Sequence, residues 1–351
     1  MRSMRTALRL WPMLSLSAGL TAAVIAEGAP AANMEVLQSW KLGGAGGWDY
    51  LAMDSAKKRL FISRATRVDV LNIESGKLIG SIPGTEGVHG IALAPALKRG
   101  FTSNGRANSV TVFDLDTLKV IQEVKVPGRN PDAILYEPAG KHVFTFNGAS
   151  KDVTVLDASS LAVLATIPVP DKPEFAAQDG RGQIFVNIES DPGQMVVIDS
   201  RKLTVKSTWP LPGCNSPSGL AIDRAHRRLF SVCDGKIMAV TDAVSGKQAA
   251  LVPIGEHPDA AGYDQKRGMV YSSNGDGTLS VVHQDAADRY AVVQTLPTQR
   301  GARTMALDDA TGKVYLVTAD FAPPPAATAE QPHPRPAPIP DSFVVLVAGK
   351  R

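Results

Sequence analysis

The feature that most constrains the fold of this chain is a motif that returns seven times along it. Each copy contains an apolar stretch, a polar turn and a second stretch carrying one large aromatic. That aromatic is Phe61, Phe101, Phe144, Phe185, Phe230, Tyr271 and Tyr315 in turn, at spacings of 40 to 45 residues. A segment of alternating type follows in every copy: Val68-Asp69-Val70, Val110-Thr111-Val112, Val153-Thr154-Val155, Met195-Val196-Val197, Ile237-Met238-Ala239, Leu279-Ser280-Val281 and Phe343-Val344-Val345. A period of two residues is the signature of a strand. A turn such as Asp114-Leu115-Asp116-Thr117 then leads to a last strand, such as Val120 to Val126. Each unit therefore predicts four strands, a to d, and a lone sheet of that size cannot bury both of its faces. Stacking seven such sheets around an axis does so, with the repeated aromatic filling the gap between neighbours. The expectation is an all-β, seven-bladed β-propeller of four-stranded blades; an open solenoid is disfavoured because its repeats are normally shorter.

The two ends of the repeat region complement each other. The seventh unit stops after its third strand, Phe343 to Ala348, close to the last residue, Arg351. A spare strand, Met34 to Leu42, precedes the first unit. Pairing the two closes the ring and removes two exposed sheet edges, which would otherwise invite aggregation. Residues 1–31 are of another kind. Arg2, Arg5 and Arg9 lead into an apolar run from Leu10 to Ala26, ending in Ala29-Pro30-Ala31. This reads as a cleaved secretory signal peptide; Pro12, Ser15 and Ser17 break the run and disfavour an uncleaved anchor. The expectation is an exported chain, periplasmic or secreted, whose residues 32–351 form a single propeller without a membrane-spanning segment and as a monomer. The formal charge of +3 falls close to neutral once three arginines and Glu27 are removed. No basic stripe stands out, so a nucleic-acid partner is not expected.

Several segments carry a family resemblance: Pro131-Asp132-Ala133-Ile134, Phe144-Thr145-Phe146-Asn147 and Val153-Thr154-Val155-Leu156-Asp157. They resemble the YVTN propeller repeat of exported YncE-like bacterial proteins. That resemblance covers essentially all of residues 32–351 and implies the fold rather than a particular activity.

In a propeller, the start of strand a and the b–c loop of every blade meet around one mouth of the central channel, so the repeats are best read in columns. The column at the start of strand a is Asp49, His89, Asp132, Glu174, Ser218, Asp259 and Arg303. Carboxylates crowded there must raise their pKa values, pair with cations such as Arg303 and protonated His89, or hold a metal ion. A solvated polar collar is the plain alternative. A second column, at the end of strand b, is Arg64, Asn104, Asn147, Ile188, Cys233, Asn274 and Thr318, with Asn187, Glu189, Asp234 and Asp276 nearby. Asn104, Asn147 and Asn274 each precede Gly, which favours tight-turn chemistry for any one of them. As a group they are expected to place amide oxygens beside the acidic ring. Carboxylates and amide oxygens suit Ca²⁺, Mg²⁺ or Mn²⁺, and involvement of His89 or His257 moves the preference toward Zn²⁺ or Fe. The arrangement resembles gluconolactonase-type propellers, in which acidic and Asn residues at the channel mouth hold one divalent ion. That resemblance implies an ion polarising a lactone or ester carbonyl, with Asp132 or Asp259 activating water.

Cys214 and Cys233 fall where adjacent strands would bring them together, and export permits a disulfide between them. Zincin, haem-attachment and serine-elbow motifs are absent from the sequence. Between strands b and c of the last unit, a Pro-rich insertion spans 321–341 and contains Pro323-Pro324-Pro325 and Pro332-His333-Pro334-Arg335-Pro336. Its composition favours extended polyproline conformation and projection from the channel-mouth face, as an inert loop or as a lid or docking arm. Two functions stand: binding of a small molecule or a periplasmic protein at that face, or a divalent-metal-dependent lactonase or esterase.

Overall fold

A computed structural model describes residues 32–326, 334 and 336–351. The signal-peptide reading of 1–31 and the tip of the Pro-rich insertion lie outside the described residues. The chain forms seven antiparallel sheets of four strands each. Blade 1 is β2–β5 (Leu51–Asp54, Arg59–Arg64, Arg67–Asn72, Leu78–Pro83), and blade 2 is β6–β9 (Val88–Ala94, Arg99–Asn104, Ser109–Asp114, Val120–Lys125). Blades 3 to 6 repeat the order with β10–β13, β14–β17, β18–β21 and β22–β25, which run from Pro131 to Pro297. Blade 7 takes β26–β28 (Thr304–Asp308, Lys313–Thr318, Val344–Gly349) from the end of the repeats and β1 (Glu35–Lys41) from their start. The predicted all-β ring and its mode of closure are therefore both present. β1 pairs antiparallel with β28, from Glu35 opposite Gly349 to Lys41 opposite Val344.

Burial follows the position of each strand in its blade. In blade 1 the second strand is buried throughout and the third through its middle, whereas the outermost strand exposes Leu78 and Ile79. All seven repeated aromatics lie on second strands and are at most 2% exposed. Some bridge neighbouring blades: Phe61 meets Phe113 at 6.0 Å, and Phe230 meets Tyr263 at 5.3 Å. Every c–d pair carries a one-residue bulge, which strengthens the twist of the outer strand. The c–d turns also repeat: Asn72, Asp114, Asp157, Asp199 and Asp242 each accept two backbone N–H groups two and three residues on. Gly76 closes the first of these turns with φ +68°, and a Cβ there would meet the Trp40 ring of the closing strand at 2.6 Å.

Arg64 pins the approach to blade 1. Its guanidinium lies 3.7 Å from the centre of the Phe343 ring and reaches the Ala45 carbonyl at 3.2 Å. Burial draws its pKa down to about 10, although Asp69 opposes the shift. Trp48 packs on Phe343 at 5.2 Å and on Phe321 at 6.1 Å, so the segment leading to Asp49 is held against blade 7. The stem of the Pro-rich insertion differs from expectation, because it pairs with itself. Phe321 bridges Pro338, the Ala322 N–H donates to the Ala337 carbonyl and the Ile339 N–H to the Asp320 carbonyl. Prolines lack donors but keep their carbonyls, and the non-proline residues between them supply the N–H groups.

Cys214 and Cys233 form the expected disulfide, with Cα atoms 5.3 Å apart and both residues fully buried. Two outcomes follow. Removing residues 34–42 should lower the melting temperature of the whole ring and promote self-association, measured by circular dichroism and size-exclusion chromatography. Replacing both cysteines by serine opens a loop of 19 residues and should cost about 3 kcal/mol by denaturant titration.

Candidate functional site

The first strands of the blades line the channel, and their starts are irregular for a reason. The a–b ladder is interrupted between Val88 and Ile91, Pro131 and Ile134, Pro173 and Ala176, Pro217 and Leu220, and Pro258 and Ala260. Bulges of this kind re-aim side chains. The residues inside them include His89, Asp132, Glu174, Ser218 and Asp259. Carbonyls at the starts of these first strands are hydrogen-bonded by side chains of neighbouring blades. Ser103 donates to the Asp132 carbonyl, Asn187 to the Ser218 and Gly219 carbonyls at 2.9 and 3.1 Å, and Ser273 to the Arg303 carbonyl. On the rim, Asn130, Ser216 and His257 adopt left-handed backbone at φ 53°, 44° and 52°. Backbone strain of this sort clusters at functional sites.

All seven residues of the first column line one cavity of about 350 Å³ at the channel mouth. Asp49, His89, Asp132, Glu174, Asp259 and Arg303 are brought together there, with Ser218 completing the circle. The second column is not. Asn104 is fully buried within its blade, where it accepts from Thr102 at 2.8 Å and donates to Ser109 at 3.1 Å and Thr111 at 2.8 Å. Asn147 does the same with Thr145, Asp152 and Thr154, and Asn274 with Ser272, Thr278 and Ser280. Their amide oxygens therefore do not face the ring. Each Asn ends its strand with the side chain directed toward strand c, where neighbouring hydroxyls satisfy it.

Two further features complete the cavity. Lys172 pairs with both Glu174 and Glu189, and Tyr50 of blade 1 stacks on Phe175 of blade 4 at 5.0 Å, across the channel. The sequence held a signal for Lys172. Asn130-Pro131-Asp132, Lys172-Pro173-Glu174, Ser216-Pro217-Ser218 and His257-Pro258-Asp259 share one pattern. The residue two places before the column therefore belongs to the same rim. No such signal marked Tyr50, because adjacency to Asp49 in a regular strand predicts opposite faces. Beyond the aromatic pair, a second cavity of about 340 Å³, lined by Leu135, Ala177, Ala261, Gly262 and Leu307 among others, occupies the far ends of the first strands.

The cavity carries more carboxylates than cations. Asp49, Asp132, Glu174, Glu189, Asp234 and Asp259 face Lys172, Arg303, His89 and His257. The charges are balanced locally. Arg303 Nε meets Asp259 at 3.2 Å, and His89 Nδ1 meets Asp49 at 2.6 Å. Burial disfavours a charged His89, yet the hydrogen bond to Asp49 and the negative charge of Asp132 outweigh it and raise its pKa. Burial pushes Asp259 up to about 6, against the pull of Arg303. Glu174 is pushed up to about 9 by burial and by repulsion from Asp132, with Lys172 offsetting part of this. Burial works the same way on Glu189, but hydrogen bonds from Glu174 and Lys172 hold it below its ordinary value. Glu174 thus keeps a proton while Glu189 keeps a charge. Tyr50 stays protonated well above the usual range, first through burial and then through the charges of Asp132, Glu174, Asp49 and Asp259. The cup therefore presents donors and acceptors side by side.

The proton on Glu174 generates a testable pH dependence. Its folded pKa of about 9 lies above the ordinary 4.5, so the native state binds the extra proton across that window and loses stability as pH rises through it. Glu174→Gln mimics the protonated form. It should be more stable than the parent toward the alkaline end of the window by several kcal/mol, with about 6 as the upper bound set by the full shift. The difference should vanish in acid, below the ordinary carboxylate range. Thermal melts across pH check this; identical profiles would mean that Lys172 fully balances an ionised Glu174.

No known family profile matches the chain, and no curated protein does. Among the described residues, no helix is long and apolar enough to cross a membrane. Solved structures resemble it in fold. A chain of the Kuenenia stuttgartiensis hydrazine synthase aligns with TM-score 0.68 at 16% identity, covering 77% of this chain and 92% of that one. The U3-55K structure aligns with TM-score 0.72 at 11% identity, covering 91% and 99%. The RRP9 WD40 repeats align with TM-score 0.72 at 12% identity, covering 91% and 98%. At these identities the likeness is one of architecture: the chain is a seven-bladed β-propeller similar in shape to WD40 propellers.

Proposed function

We propose that this protein is an exported binding propeller of the YVTN, YncE-like kind, and that it captures a small polar molecule in the cup at its channel mouth. One observation carries the reading: the seven equivalent strand-a positions converge on a single cavity, and the blades differ there in charge and size while agreeing elsewhere. A volume of about 350 Å³ lies within the range of small-molecule sites. The mixed lining suits a ligand bearing hydroxyl or amine groups, which the carboxylates accept from and which Arg303 and Tyr50 donate to. Export is supported by the Cys214–Cys233 disulfide, which belongs to oxidising compartments, and by the signal-like start of the sequence.

A second reading, a divalent-metal-dependent hydrolase of lactones or esters, is favoured by the proximity of Asp49, His89 and Asp132, which offer donor atoms all within 4.8 Å of one another. A thermal-shift screen of sugars, lactones, amino acids and amines, followed by calorimetry of each hit, tests the primary reading. Affinity should fall by at least about tenfold in Asp259→Asn, the cost of a lost hydrogen bond to a buried charge. Hits that bind Asp259→Asn and Arg303→Ala as tightly as the parent would place the ligand elsewhere and overturn it. Acid release from a lactone hit would favour the hydrolase.

A further inference from the structure

We propose that a cleft between blades 4 and 5, on the face opposite the cup, binds one phosphate or phosphate-ester group, held by Arg181, Arg224 and Arg227. This cleft shares no lining residue with the cup, so the two ligands are independent of each other.

The a–b and c–d turns of the blades lie together on that face, and they meet where two blades adjoin. At the seam of blades 1 and 2, Lys57 stands two residues before β3 and Lys98 one residue before β7. Both pair with Asp116, two residues past the end of β8, and Lys98 Nζ lies 3.8 Å from its carboxylate. The seam of blades 4 and 5 repeats the cations. Arg181 stands two residues before β15 (Gln183–Glu189), and Arg227 one residue before β19 (Arg228–Asp234). The place of Asp116, however, falls to Val244, two residues past β20 (Ile237–Asp242) and 59% exposed. Both cations are kept, and the carboxylate between them has been replaced by an aliphatic side chain.

Arg181, Arg227 and Val244 line one cleft of about 170 Å³, and Arg224 adds a third guanidinium. Arg224 Nε donates to the Gln178 carbonyl at 2.9 Å, which anchors the group beside the cleft. Asp179 is the single acid in the lining, and its oxygens are already engaged. It accepts the N–H groups of Arg181 at 2.7 Å and Gln183 at 3.0 Å, and the Gln183 side-chain amide at 3.2 Å. Arg228, next to Arg227, takes Asp242 at 2.6 Å and Asp288 at 2.8 Å. Among the described residues, Arg181, Arg224 and Arg227 form no ion pair, although Asp309 lines the adjoining cavity with Arg224.

The donor set selects the ligand. Guanidinium forks match the oxygens of a phosphate two at a time, and three of them supply more donors than one carboxylate can use. The surroundings add to the positive field: a Cβ on Gly182 would lie 3.3 Å from Arg201 Nε, and Lys206 Nζ reaches Gln183 Oε1 at 2.7 Å. Such a field favours a doubly charged oxyanion over a singly charged one. The cleft is smaller than a site for a whole small molecule. It holds one charged group, and the rest of an ester would extend outward past Val244.

The test titrates the full chain with sodium phosphate by calorimetry, in a chloride buffer of low ionic strength at neutral pH. One phosphate should bind per chain. Arg181→Ala and Arg227→Ala should each weaken binding by at least about tenfold, the cost of a lost hydrogen bond to a charged group. Val244→Asp restores the carboxylate found at the seam of blades 1 and 2 and should abolish binding, whereas the neutral Val244→Asn should bind like the parent. Asp259→Asn, in the cup, should leave phosphate affinity unchanged. Circular dichroism melts of each variant separate loss of the site from loss of the fold. Sedimentation with phosphatidylglycerol vesicles, against phosphatidylcholine vesicles, distinguishes the sources. Co-sedimentation that Val244→Asp removes assigns the cleft to a lipid headgroup; phosphate binding without co-sedimentation assigns it to a soluble phosphate. A parent protein that binds neither phosphate nor the anionic vesicles overturns the proposal, as does a folded Val244→Asp protein that binds like the parent.

Discussion

The structure depends on a hydrogen-bonded pairing between the two ends of the repeat region. β1 supplies the outer strand of a blade whose other three strands lie some three hundred residues on along the chain. Without it, the seventh sheet would present an open edge, and β28 would lose the partner that covers it. The closing strand is also knitted to its neighbours by side chains. Trp40 fits against Gly76 in the turn of blade 1, and the adjoining segment is held by Arg64 over Phe343 and by Trp48 between Phe343 and Phe321. The same contacts set the position of Asp49, so ring closure and site assembly share one set of interactions.

Closure places seven first strands in a circle, and the bulges at their starts turn side chains toward the axis. Each bulge interrupts a ladder, and at blades 3 and 5 the carbonyls it frees are taken up by Ser103 and Asn187 of the preceding blades, as Ser273 takes up the Arg303 carbonyl at the start of blade 7. The site is therefore built from inter-blade contacts, and its residues are held by the ring rather than by flexible loops. Burying carboxylates and then crowding them together is unfavourable by itself, and the raised pKa values of Asp259 and Glu174 record both effects, burial first. Arg303 and Lys172 relieve part of the repulsion. What remains is a strained electrostatic arrangement of the type that binding sites keep at the expense of stability.

Much of this was legible in the sequence because repetition multiplies a weak signal. One alternating segment proves little, but seven at regular spacing define a blade, and aligned blades define columns. Asp49, His89, Asp132, Glu174, Asp259 and Arg303 were readable as neighbours for that reason alone. The asparagines were readable as a column but not in direction. Whether Asn104 turns to the axis or into its own hairpin depends on hydroxyls at Thr102, Ser109 and Thr111, whose partners only the folded blade decides. Lys172 stands two residues before the column, and only the repeated X-Pro-X pattern of Asn130-Pro131-Asp132, Lys172-Pro173-Glu174 and His257-Pro258-Asp259 marks that position as part of the rim. The stacking of Tyr50 on Phe175 joins blades 1 and 4, a relation across the axis that no local pattern encodes.

The aromatic pair shapes the floor of the channel mouth. Tyr50 and Phe175 both line the upper cavity, so two stacked rings from blades 1 and 4 lie beneath a wall of charged groups. The rim opposite carries Ser216 and His257. One cavity thus offers a flat apolar face and a charged wall to the same space.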